Sequence, residues 1–395
     1  MRTGTDTMRY SFIILFTFAV LALAATVAHA ALSKEESRPL TIEGAADSIG
    51  RATVTGPRFH GPEVFAGIED YHNPRLKRLR DEYGLDKVVA GETNEFRRIL
   101  KLRNWVHSRW HIDNDQNFNG DAFAILEKAK KGEGFNCSHS LAVQHAVMLS
   151  MGYIARDMGV DTNHEDYGRS IHHGVNEVWS NDYAKWVLLD AKYDTHFERN
   201  GIPLSALDVH EAVRADGGKD VVKVQGLDRR PAGPDPKDAP ENSKRSYWWL
   251  SYYLRPSPFT EPHWSGSSRL LVFDSDAFRN TTWMRQNASG MVKHWAYAAN
   301  AFIPTRDRHQ IEWTPGVPDL RIRQTATNEL DVQLRSATPN FKTYLTRTNG
   351  SSWQPLSGDQ FRWSLRPGEN RLEVRTQNAA GVLGPIVTAE VEFKR

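Results

Sequence analysis

Two stretches decide the fold: GFNCSHSLAVQHAVMLSMGYIAR, residues 134–156, and HHGVNEVWSNDYAKWVLLDAKY, residues 172–193. The first opens on Gly134 and Asn136, and asparagine caps helix starts by accepting from amides of the first turn. Its apolar positions Leu141, Ala142, Val147, Met148 and Leu149 run on to Gly152, a residue type favoured just past a helix end. This pattern predicts a helix over 136–151 with Cys137 in its first turn. Beyond it, Tyr153 to Val160, Ile171 to Trp179 and Lys185 to Tyr193 read as three extended segments. A helix packed on an antiparallel sheet, an α+β core, is the architecture this order implies.

Outward from that core, Phe96, Ile99, Leu100, Leu102, Trp105 and Val106 recur at helical spacing, which predicts a helix from Glu95 to His107. Residues 31–94 read as an extended N-terminal lead followed by helical sequence, and 95–226 as the core. Pro231, Pro234, Pro236 and Pro240 among charged residues mark an exposed linker. It opens an aromatic-rich β region over 227–314 that holds six of the twelve tryptophans. These aromatics read as core filling, with a glycan-stacking platform as the rival. From 315 to 395, short alternating strands separated by turns at Asn349–Gly350 and Pro367–Gly368 suggest an immunoglobulin-like β-sandwich.

At the other end, Arg9 precedes an apolar run from Phe12 to Ala25 that closes on Ala28, His29 and Ala30. Residues 1–30 therefore read as a signal peptide, giving a secreted or periplasmic chain. A retained membrane anchor is the alternative, but the run is shorter than the roughly 20 apolar residues a spanning helix needs. No later segment is apolar enough to span. The formal charge of the whole chain is only +2. Without a basic surplus or stripe, nucleic acid and anionic membranes are not expected partners.

An exported protein ordinarily spends cysteines on disulfides, and this chain has one cysteine. A thiol attacks only as thiolate, so a nucleophilic Cys137 needs its pKa lowered or its proton taken. A helix start supplies part of that, because the macrodipole favours negative charge there and free amides can receive an oxyanion. The rest comes from strand register. A two-residue loop at Asn181–Asp182 makes paired positions sum to 363, so that Trp179 faces Ala184 and His173 faces Asp190. Opposed side chains lie about 4.5 to 5.5 Å apart at Cβ, close enough for a carboxylate to accept from an imidazole.

On these residues the chain resembles the transglutaminase-like superfamily: Gly134 to Cys137 opening a helix, Gly152 to Arg156, His173 to Val178, and Trp186 to Asp190. The resemblance spans about residues 95–210. It implies a papain-like fold and a catalytic triad in which Cys137 is the nucleophile, His173 its base and Asp190 the group that orients the histidine. It also implies an acyl-enzyme, with amide hydrolysis or acyl transfer as the reaction. Val175 departs from the family, which often carries an aromatic residue there. Trp105 is a weak candidate for an oxyanion donor beside the Cys137 amide.

The expected substrates are peptide or protein amides, including cell-wall peptides, with hydrolysis favoured and protein cross-linking by an acyltransferase also open. The alternative is a non-catalytic extracellular binding protein for glycans or proteins. No cofactor is called for, and no metal: Cys137 and His145 would stand about 12 Å apart along a helix, too far to share an ion. His139, His164 and His172 add no metal-ligand spacing. The run Asp113 to Asn117 lacks the glycine and closing glutamate of a calcium loop. Glu177, two pairs from His173, reads as structural.

Overall fold

The computed structural model describes residues 37–64, 67–162, 171–233, 240–255, 257–259, 269–273 and 302–394. The leader expected at 1–30, His164, and Trp264, Trp283 and Trp295 of the aromatic stretch lie outside the described residues. No helix among the described residues is long and apolar enough to cross a membrane.

The helix Cys137–Ser150 sits at the centre of the molecule. Asn136 caps it as expected, its Oδ1 accepting from the Ser138 amide at 3.1 Å. The helix is buried on nearly every face, from His139 through Val143, Gln144 and Ala146 to Leu149. That explains why its ends were easier to read than its period, since a helix covered all round has no one-sided apolar stripe. Helices Pro74–Glu82, Glu95–His107 and Ala122–Ala129 cover one side and share a core with it. Glu95–His107 falls where the periodicity put it, capped by Asn94.

The other side packs on a six-stranded sheet. Its order is Phe302–Thr305, Arg269–Phe273, Trp249–Leu254, Ala155–Asp161, His172–Ser180 and Lys185–Leu189. Three of these strands come from the aromatic-rich stretch, where Trp249, Tyr252 and Tyr253 are buried against neighbouring strands. The helix Ala206–Asp216 closes the far face. Sequence periodicity did not single it out, although Ser205 and Asp208 form a reciprocal capping box and Gly217 ends it at φ 76°.

The hairpin register differs from the expected one. Trp179 pairs with Trp186, Glu177 with Leu188 and Asn176 with Leu189. The loop is four residues, 181–184, not two, and Ala184 takes a left-handed φ of 48° to close it. The slip is two residues, and two is the side-chain period of a strand. It therefore moves partners along the strand without turning any side chain to the other face.

Residues 319–393 form two sheets around one core of Leu330, Val332, Trp363, Leu372, Val374 and Val391. The N-terminal segment is not a free lead but part of this sandwich. Ile49–Thr55 pairs antiparallel with Val387–Phe393, and Ile42–Glu43 pairs parallel with Asp319–Ala326. Sandwich and core meet through Trp179, Trp186 and Ile154 against Val54, Val317 and Val387. Gly152, at φ 81°, lies so close to the sandwich that a Cβ there would sit 2.1 Å from that of Ala380.

Candidate active site

His173 and Asp190 meet although they are not direct partners. Extending the observed pairing by one step sets Asp190 opposite Val175, so His173 is its diagonal neighbour on the same face, within reach of a ring-bearing side chain. Nε2 of His173 donates to Oδ2 of Asp190 at 2.8 Å, and both side chains are buried. Asp190 is itself fixed, because its Oδ1 accepts from the amides of Lys192 (2.9 Å) and Tyr193 (3.3 Å). The turn that carries it is pinned by a bridge between Asp190 and Thr195. Below it the buried Arg103 donates to Asp194 at 2.8 Å and lies against His196.

Cys137 opens the central helix and is half-buried as a residue, with its thiol turned into the protein. Gly174 makes the approach of helix and strand possible. A Cβ on it would stand 3.3 Å from Leu141 and 3.8 Å from the Cys137 backbone. The Nδ1 atom of His173 is buried and has no partner of strict hydrogen-bond geometry among the described residues. The imidazole nonetheless lies near enough to the thiol for each to shift the other's pKa. Such contacts are often loose in the resting state and tighten with substrate.

The electrostatics favour an ion pair. Burial pushes the Cys137 thiol up, but the hydrogen bond and charge of His173, the Gly174 amide and the Lys192 ammonium outweigh it and bring the pKa down to about 6. Burial likewise opposes a charged His173, and the Asp190 carboxylate with the thiolate overcomes it, raising the ring to about 10. Between these values the site holds thiolate beside imidazolium.

Three neighbours were not found from sequence. Lys192 donates to Glu241 at 3.0 Å, Tyr193 donates to the same Glu241 oxygen at 2.6 Å, and the Tyr193 ring lies 5.8 Å from that of His173. Glu241 arrives from beyond the proline-rich linker, so no local pattern could place it here. Lys192 and Tyr193 did carry a signal, since their amides stand two and three residues after an aspartate, the spacing of an Asx-turn.

The remaining expectations sort cleanly. Trp105 packs edge-on to Tyr83 under the Arg109 guanidinium, in the helical core. His139 is spent on Asn136 Oδ1 and the Phe118 carbonyl, both at 2.8 Å. His145 faces Asp157, and His172 faces Asp161. Glu177 holds Arg156 and accepts from the Ala206 amide at 2.6 Å, a structural role. The Asp113–Asn117 loop braces the cap, with the Gln116 carbonyl accepting from Asn136 Nδ2 at 2.6 Å. No three His, Cys, Asp or Glu among the described residues are grouped to hold a metal.

Residues 85–191 match the transglutaminase-like superfamily. The matched segment carries the Cys137 helix start, the His173 strand and, as its last residue but one, Asp190. Members of this superfamily are typically cysteine-based enzymes, so the match supports thiol-dependent acyl chemistry at the level of the family. No curated protein matches the chain.

Proposed function

We propose that the protein is an exported thiol-dependent amide hydrolase. Cys137 attacks the carbonyl carbon, His173 passes its proton to the leaving amine, and Asp190 holds the imidazole in the required tautomer. The thioester formed is then cleaved by water that gives up a proton to His173, restoring the free thiol and releasing the acid. The Asn136 cap is taken up by the Ser138 amide, and the Cys137 amide at the helix start is the donor assigned to the oxyanion. Peptides, including cell-wall peptides, are the substrate class, and secretion follows from the leader. The 315–395 sandwich is read as immunoglobulin-type, a module that carries none of the triad.

The observation that carries this reading is the 2.8 Å His173–Asp190 hydrogen bond beside the helix that Cys137 opens. It is tested by incubating the mature chain with labelled peptides, with and without an amine donor, and weighing the products. Hydrolysis yields peptide acids whether or not the amine is present. Exclusive amine incorporation would make the protein a transferase, and no product with either acceptor would favour the non-catalytic binding role.

A further inference from the structure

A cleft of about 570 Å³ opens between the core and the sandwich. Three arginines line it, Arg80 and Arg98 from the core and Arg375 from the sandwich. Arg80 is already spent, donating to Asp86 at 2.7 and 2.9 Å and to the Tyr71 hydroxyl at 2.8 Å. Arg98 and Arg375 are less fully committed: the Nε of each is buried and without a hydrogen-bond partner among the described residues, and Arg98 acts on Asp86 only through its charge. The Arg375 guanidinium lies over the Trp353 ring at 4.3 Å, a cation–π contact in which the ring is not a conventional hydrogen-bond acceptor for its N–H groups. Burial and the charge of Arg347 hold Arg375 below its ordinary pKa, so it lies in a place short of negative charge.

The carboxylates of the cleft do not supply that charge. Glu95 accepts from Asn181 (2.6 Å), the Asp182 amide (3.0 Å) and Ser180 (3.2 Å). Asp182 accepts from the Phe96 amide at 3.2 Å. Both are occupied with the hairpin loop and the start of the helix Glu95–His107. Buried donors in native proteins are nearly always paired, and one left over points to water or an ion. A guanidinium fork matches the oxygens of phosphate and carboxylate in particular.

We propose that this cleft binds a small oxyanion, a phosphate or carboxylate group, held between Arg98 of the core and Arg375 of the sandwich. The site is separate from Cys137. Met151 lines the cleft at the far end of the Cys137–Ser150 helix, and 14 residues at about 1.5 Å each put it about 21 Å from the thiol. Its occupant bridges the two units rather than meeting the nucleophile, and the inference stands whether or not the hydrolase reading does.

The test uses the mature chain, with inorganic phosphate and citrate as separate probes and sodium chloride added to constant ionic strength. Thermal midpoint and calorimetric titration are read for wild type, Arg98→Gln, Arg375→Gln and the control Arg97→Gln, whose side chain pairs with Glu92 outside the cleft. Saturable stabilisation is expected in wild type and control, with the dissociation constant raised about tenfold or more in each cleft variant, as loss of a charged hydrogen-bond donor implies. A response to phosphate alone identifies a phosphate site, one to citrate alone a carboxylate site, and one to both a general oxyanion site. Should a glutamine variant fail to fold, Arg98→Lys and Arg375→Lys keep the charge, lose the fork and are expected to bind more weakly than wild type. A shift no larger than chloride gives, or one equal in wild type and the cleft variants, overturns the proposal.

Discussion

Replacing His173 by alanine tests the ion pair quantitatively. In the wild type the thiol titrates at about 6, so at that pH about half of it is thiolate. Without His173 its largest opposing influences are gone while burial remains, and the thiol returns to its ordinary 9 or above. The thiolate fraction at pH 6 then drops to about one in a thousand, a loss of about 500-fold. The variant thiolate is intrinsically the better nucleophile by about 0.4 to 0.5 log unit per pKa unit, which recovers about 20-fold. Labelling by iodoacetamide at pH 6 should therefore be about 20-fold slower in His173→Ala. The gap should close as pH rises, with the rates crossing between about pH 7 and 8. Mass spectrometry of the labelled protein across pH 5 to 9 reads both curves. Equal rates at pH 6, or a wild-type profile rising only near pH 9, would refute the ion pair.

Other consequences follow from single contacts. Asp190→Asn keeps an oxygen for the Lys192 and Tyr193 amides but presents the wrong partner to His173 Nε2, so turnover should fall about 10²- to 10⁴-fold with the fold intact by circular dichroism. Arg103→Met strands the buried Asp194 carboxylate and should cost about 3 to 5 kcal/mol in urea unfolding, whereas a cost near zero would show that the turn is held by other means. Truncation after Trp313 removes the strands that pair with Ile49–Thr55 and Ile42–Glu43. The fragment should lack a cooperative thermal transition, and a soluble, sharply melting product would show that the core folds alone.

The parts of the core legible in the sequence are those written locally. Asn136 and Gly152 bounded the central helix, and the apolar spacing bounded Glu95–His107. The His173–Asp190 pairing emerged from a register that was wrong by two, because a slip of two preserves the face and leaves diagonal side chains in reach. A slip of one would have parted them. Contacts set by distant chain segments were illegible. Ile49–Thr55 has the weak alternation of a strand, but nothing in it names Val387–Phe393 as its partner. Glu241 reaches Lys192 and Tyr193 only because the chain returns after the proline-rich linker. The cleft arginines belong to two units and gain meaning only when those units meet.

The central claim is that Cys137 carries the acyl group. The direct measurement is intact-protein mass spectrometry of the mature chain, acid-quenched during turnover of a peptide mixture, followed by peptide mapping. The account predicts a mass increase equal to the acyl fragment, removed by hydroxylamine as a thioester is, located on Cys137 and absent from Cys137→Ala together with all turnover. An adduct mapped to another residue, or peptide cleavage that persists in Cys137→Ala, would contradict it.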